Sequence, residues 1–207
     1  RLGVIGYGAS ARALLSLLAD GRTVRQATVL LRKGGQIDGK PDGLRLDTVA
    51  TFDALLAARP DLLVECAGHS AVQDHAEPTL LAGIAFLPLS LGAFADPSLL
   101  DRVQAATRRT RARLIRPAGA IAGIDLIEAL SLQGDVRIAY TGTKPPQAWR
   151  GTAAEAKLDL AALTTATEFF SGTAREAALL FPKSTNVVAA LALAGPGFEN
   201  VSVRLVA

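Results

Sequence analysis

Methionine is absent from the 207 residues, cysteine occurs once, histidine twice and tryptophan once. The lone Cys66 excludes an internal disulfide framework and a cysteine-rich zinc centre, and no other metal-ligating cluster is visible. Seven Phe, two Tyr and one Trp are too few to build a base-stacking surface. The one dense basic run, Arg108-Arg109-Thr110-Arg111-Ala112-Arg113, lies near Arg102 and Arg116 and has no aromatic residue interleaved. It reads as a solvated helix end rather than a nucleic-acid contact, and a net charge of +3 adds little to that. Long apolar runs are missing too. The longest uncharged stretch, Pro78 to Ala95, is interrupted by Pro78, Gly83, Pro88 and Gly92, which argues against a membrane span. No basic start leads into an apolar run with a small-residue cleavage site, so a cytoplasmic protein is expected. Arg1 stands immediately before an apolar strand, and the alternating segment Val201 to Ala207 stops without a turn, so both ends read as cut and the C-terminal end as incomplete.

Half the residues are hydrophobic and a fifth charged, enough to bury a substantial core. In the first half, short apolar runs alternate with helical patterns. Strands are expected at Leu2 to Ile5, Ala27 to Leu31, Leu62 to Glu65, Ile84 to Leu89 and Arg113 to Ile115. Helices are expected at Ala9 to Ala19, Phe52 to Ala58, His69 to Leu81 and Pro97 to Thr107, with a glycine-rich loop from Gly34 to Gly43. Strands spaced by helices of this length imply βαβ crossovers and a parallel sheet covered on both faces. The pattern changes near Pro117. Beyond it lie an expected helix from Ile121 to Leu132, a strand from Val136 to Thr141, helices at Ala174 to Leu180 and Thr185 to Ala194, and a strand from Val201 to Val206. Residues 1–116 therefore read as one parallel α/β domain and 117–207 as a smaller α+β domain.

The chemistry starts at Gly6-Tyr7-Gly8-Ala9-Ser10-Ala11, between the first strand and the first helix. Gly6 permits a tight turn and Gly8 lets backbone approach a pyrophosphate, while Ala11 is small enough for helix-on-strand packing. The helix start at Ala9 and Ser10 then presents free N–H groups to the phosphates. This is the arrangement of a Rossmann-type dinucleotide-binding domain. At the end of the second strand, Arg32-Lys33 stand where a carboxylate would favour NAD, so NADP is expected to be accepted and NAD is not excluded. Cys66-Ala67-Gly68, after a later strand, are small enough for the nicotinamide half to lie against backbone. Cys66 itself reads as an inert small residue. His69 reads as a helix start near the cofactor and His75 as a surface residue.

Several further segments point the same way: Glu65-Cys66-Ala67-Gly68, Gly119-Ala120-Ile121 with Gly123 and Asp125, Lys144-Pro145-Pro146, Gly172-Thr173-Ala174-Arg175-Glu176-Ala177, and Phe181-Pro182-Lys183 with Asn186-Val187. Together with Gly6-Tyr7-Gly8 they resemble the L-aspartate dehydrogenase family across essentially the whole chain. The resemblance implies oxidation of L-aspartate with NAD or NADP to iminoaspartate, linked to NAD biosynthesis, and a homodimer. It places cofactor contacts in the second half at Ala120 and Asn186, although Asn186 also suits a helix N-cap. Lys144, Arg175 and Lys183 are the candidates for holding substrate carboxylates, although Arg175 equally suits capping or bracing its helix. The family's catalytic histidine falls beyond Ala207, and neither His69 nor His75 matches it, so no catalytic residue is named. The alternatives are another Rossmann oxidoreductase, such as homoserine dehydrogenase or dihydrodipicolinate reductase, and a non-catalytic dinucleotide-binding module.

Overall fold

Leu2–Ile5 (β1) is buried along its whole length, as a central parallel strand must be when both sheet faces are covered. In the computed structural model, which describes residues 1–207 apart from 22, 33, 34, 135 and 183, four more strands join it. These are β2 (Gln26–Leu30), β3 (Arg45–Val49), β4 (Leu62–Glu65) and β5 (Ala85–Pro88), all parallel in the order β3-β2-β1-β4-β5. Helices α1 (Ala9–Ala19), α2 (Phe52–Ala57), α3 (His69–Leu81) and α4 (Pro97–Thr110) alternate with them. Val4, Ala11, Leu15, Val29, Leu46 and Val64 belong to one packed core, so α1 is fastened to the sheet directly behind the glycine turn. Strand β3 falls between the expected glycine-rich loop and the helix at Phe52, where no strand was expected. It is a sheet edge, with Arg45 exposed and Asp47 half-buried, so it lacks an apolar run. The strand expected at Arg113 to Ile115 reduces to a single bridge between Leu114 and Phe86.

The chain divides into two compact units: Arg1–Ser90 with Pro97–Pro117, and Leu91–Asp96 with Ala118–Ala207. The second unit is built on a three-stranded mixed sheet, order β6-β8-β7, from β6 (Ile138–Thr143), β7 (Glu168–Thr173) and β8 (Val201–Val206). Strand β8 runs parallel to β6 and antiparallel to β7, and its Val201, Val203 and Leu205 point inward. Helices α5 (Ile124–Ser131), α6 (Ala174–Leu180) and α7 (Asn186–Ala194) complete the unit. Helix α5 starts three residues later than the apolar pattern suggested, because Gly123 takes a left-handed conformation (φ +75°) at its N-cap. Trp149, Phe169, Phe170 and Phe181 meet edge to face with ring centroids 4.8–6.1 Å apart, the favoured geometry for aromatic quadrupoles. Trp149 also donates its indole N–H to the Val206 carbonyl at 3.2 Å.

Candidate cofactor site

The turn from β1 into α1 is shaped by two glycines with different roles. Gly6 has φ +87°, and a Cβ there would lie 2.9 Å from the Ala67 Cβ and 3.2 Å from the Cys66 carbonyl oxygen. Backbone from the β4 turn thus presses directly on this position, and only glycine fits. Gly8 has an ordinary φ of −85°, and a Cβ there would meet nothing within 4 Å. Its missing side chain leaves open space at the start of α1. That helix has no side-chain cap and no acidic residue in its first turn, so its N–H groups and positive dipole end face the opening uncancelled.

Across this opening runs a cleft of about 690 Å³ lined by the first unit. Gly6, Tyr7 and Gly8 contribute one wall, Cys66, Ala67, Ser70 and Ala71 another, and Leu31, Arg32, Ala50 and Phe52 a third. A pyrophosphate fits beside Gly8 and the α1 N-terminus, and the volume is ordinary for a small-ligand site. The cleft lies at the carboxyl ends of the strands, where the order turns from β1 towards β2 on one side and β4 on the other.

The β4 turn is held by Glu65, which is fully buried at the strand end. Its Oε1 accepts hydrogen bonds from the Ala67 and Gly68 N–H groups, both at 2.6 Å, and from the Ser90 hydroxyl at 3.1 Å. Its Oε2 accepts from the Ser90 N–H at 3.0 Å. The Cys66 thiol beside it is pushed up to about 12, by burial first and by the negative Glu65 carboxylate second. At neutral pH it is a protonated wall residue and not a nucleophile.

Arg32 is exposed at the cleft rim, at the end of β2. Its neighbour Lys33 lies outside the described residues. Among the lining residues that sequence reasoning missed are Phe52, Asp74 and His75. His75 is not a surface residue. It is half-buried and stacks on Phe52, with ring centroids 4.3 Å apart and planes 18° off parallel. Burial lowers its pKa from 6.5, against an opposing pull from Asp74. The signal available in the sequence was helical spacing, since Ser70, Ala71, Asp74 and His75 repeat on one face of α3.

In the second unit, Asn186 opens α7, but the N-cap position belongs to Thr185. The Asn186 Oδ1 instead accepts a hydrogen bond from the Gly92 N–H at 3.2 Å. Gly92 belongs to a buried 3₁₀ turn, Leu91–Ala95. The other end of that turn is tied by Arg175, whose guanidinium donates to the Ala95 carbonyl, pairs with Glu199 and lies 5.5 Å over the Phe198 ring. The Gly172-Thr173-Ala174-Arg175-Glu176 segment is a capping box: the Thr173 hydroxyl accepts from the Glu176 N–H, and the Glu176 carboxylate accepts from the Thr173 N–H at 2.7 Å. A Cβ at Gly172 would stand 2.5 Å from that carboxylate, which accounts for the glycine. The Lys144 ammonium sits 4.9 Å over the Trp149 ring. Ala120 is exposed in the bend before α5, and Lys183 lies outside the described residues. Glycine turn, β4 turn and Arg32 converge on one cleft. Ala120, Lys144, Arg175 and Asn186 are distributed through the other unit.

Parallel strands in this order, a glycine turn at the β1–α1 junction and an open cleft at the strand ends define a Rossmann-type dinucleotide-binding protein with a smaller α+β unit. Residues 6–117 match the family model described as homoserine dehydrogenase, NAD binding domain, and residues 125–207 match that of aspartate dehydrogenase, C-terminal. An L-aspartate dehydrogenase of Ralstonia nicotianae is 43% identical over 99% of this chain and 77% of its own length, and one of Pseudomonas aeruginosa is 40% identical over the same shares. The crystal structure of aspartate dehydrogenase from Thermotoga maritima superposes with a TM-score of 0.79 at 26% identity, covering all of this chain and 77% of that one. The chain belongs to the L-aspartate dehydrogenase family, and its cofactor is NAD or NADP.

Proposed function

We propose that this protein catalyses the NAD(P)-dependent oxidative deamination of L-aspartate to iminoaspartate, which hydrolyses to oxaloacetate and ammonia. In this reading it serves NAD biosynthesis in the cytoplasm, as a homodimer. The observation that carries it is likeness to L-aspartate dehydrogenases along nearly the whole chain, joined to an intact nucleotide cleft. No described helix is long and apolar enough to cross a membrane.

A bound nicotinamide would supply the hydride acceptor for oxidation at the aspartate α-carbon. The chain's own task is to hold the partners, because restricting two reactants to a near-attack arrangement is worth up to roughly 7–11 kcal/mol. The α1 N-terminus and Gly8 receive the pyrophosphate, with Ala9 and Ser10 offering the first N–H groups. Arg32 faces the adenosine ribose, where its charge suits a 2′-phosphate. Cys66, Ala67 and Gly68 provide a backbone wall for the nicotinamide half. From the second unit, Ala120 allows close approach of a ring. Asn186, whose oxygen is engaged by Gly92, retains its amide N–H groups as donors. Lys144 and Lys183 are the better candidates for the substrate carboxylates. Arg175 is already committed to Ala95 and Glu199 and serves as a brace.

The test is an assay of the protein with L-aspartate and each nucleotide, and in reverse with oxaloacetate, ammonia and NAD(P)H. Turnover of aspartate is expected. Turnover of homoserine without aspartate would favour the second reading, which the match of residues 6–117 to a homoserine dehydrogenase nucleotide domain keeps worth testing. Nucleotide binding without turnover of any amino acid would leave a binding module.

A further inference from the structure

We propose that Glu65 is a positioning residue for the nicotinamide half of the cofactor, acting through the two backbone turns that its carboxylate ties together. The proposal rests on the cofactor reading above. Glu65 ends the strand Leu62–Glu65, whose Leu63 and Val64 are buried apolar residues, and it is itself 0% exposed. A carboxylate in such a place is costly unless hydrogen bonds replace its water. Here four donors do so, three of them backbone N–H groups. Ala67 and Gly68 form the turn from β4 into α3, and Ser90 follows β5, 25 residues further on.

This side chain therefore joins the ends of adjacent strands β4 and β5 on the crevice side of the sheet. Gly68 needs the bond most. Its φ of +128° is a conformation of its own at the α3 N-cap, and its N–H is turned towards the Glu65 carboxylate. Ala67, held by the same oxygen, is the residue that presses on Gly6. The order β3-β2-β1-β4-β5 sends the two halves of a dinucleotide to opposite sides of β1. The adenosine half lies towards β2 and Arg32, and the other half towards β4 and β5. Glu65 binds the β4 and β5 turns directly and reaches the glycine turn only through Ala67.

Calorimetric titration of the whole protein with NADH and with ADP separates this role from general support of the fold. ADP carries the adenosine half and stops at the pyrophosphate. In Glu65→Gln the amide NH₂ replaces one acceptor oxygen and turns donors against the N–H groups of the turns. NADH affinity should fall at least tenfold while ADP affinity stays within about threefold of wild type. Equal losses for both ligands, or no loss for either, would overturn the proposal. Should Glu65→Gln fail to fold, Ser90→Ala decides, because it removes a single hydroxyl donor. A drop in NADH affinity with ADP unchanged supports the role, and no change in the NADH-to-ADP ratio overturns it. A wild-type protein that binds neither ligand would sink the cofactor reading itself, and the role of Glu65 with it.

Discussion

Replacing each glycine of the β1–α1 turn by alanine should break two different things. At Gly6 the positive φ of +87° costs an L side chain about 1–2 kcal/mol. The new Cβ, 2.9 Å from that of Ala67, adds overpacking of roughly 1–3 kcal/mol, because the neighbour is backbone-borne and cannot swing aside. At roughly 2–4 °C per kcal/mol for a chain of this size, Gly6→Ala should lower the melting temperature of the cofactor-free protein by roughly 4–20 °C. At Gly8 neither penalty applies, since φ is −85° and a Cβ meets nothing. Alanine is a poorer N-cap than glycine by roughly 0.5–1 kcal/mol, and the loss of unfolded-state freedom returns a similar amount. The melting temperature should hardly move. The added methyl instead enters the space assigned to the pyrophosphate, and NADPH affinity should drop at least tenfold, about 1.4 kcal/mol. Differential scanning fluorimetry of both apo variants and calorimetric NADPH titration of Gly8→Ala measure the two effects. A Gly6→Ala protein melting like wild type would refute the close approach of the β4 turn. A Gly8→Ala protein binding like wild type would refute the placement of the pyrophosphate.

Three further outcomes are expected. Arg32→Ala should weaken NADP far more than NAD, and equal losses in parallel titrations would remove Arg32 from the 2′-phosphate. Asn186→Asp keeps an acceptor for the Gly92 N–H but discards the amide donors, so cofactor affinity should fall with an unchanged melting temperature. Asn186→Ala should also lose about 1 kcal/mol of stability, from the orphaned N–H; a titration in which both variants bind normally would return Asn186 to bracing alone. Burial depresses the His75 pKa below 6.5, so the folded protein takes up that proton less readily than the unfolded chain. Its contribution is complete above about pH 6.5 and is lost as pH falls below it. Denaturation curves from about pH 7 to about pH 5 should show a shallower stability loss in His75→Gln, and an identical slope would count against the buried stacking.

Strand β1, α1 and the glycine turn were legible because an apolar run, two glycines and a helical stripe follow one another within twenty residues, and each signal is local. Strands β3 and β7 were not. Edge position leaves β3 with Arg45 and Asp47, and a register shift between Glu168 and Phe170 puts Phe169 and Phe170 both inward, which erases the alternation a reader looks for. Site residues followed the same division. Gly6 and Gly8 carry a purely local signal, whereas Ser90, which donates to Glu65, and Gly92, which donates to Asn186, lie 25 and 94 residues away. Asn186 in particular mimics an N-cap by its position, and only the fold shows that Thr185 holds that place. The placing of His75 at the surface failed because its stacking partner, Phe52, sits on another helix.

The 3₁₀ turn Leu91–Ala95 has a history on the ribosome. Its five residues, Phe94 among them, are all buried, packed with α6 and α7. Arg175, which ties its far end, is synthesised 80 residues after Ala95. At roughly 5–20 residues per second the turn waits about 4–16 s for its cover. During that interval the turn would lack the cover that α6 and α7 give it in the folded chain, although all five strands of the first sheet have been synthesised. Chaperone capture, or a translational pause, would have its greatest effect there. For the same reason, a gene cut after Pro117 yields two polypeptides that are each defective: the first carries a turn with nothing to cover it, and the second lacks the piece against which α6 and α7 close.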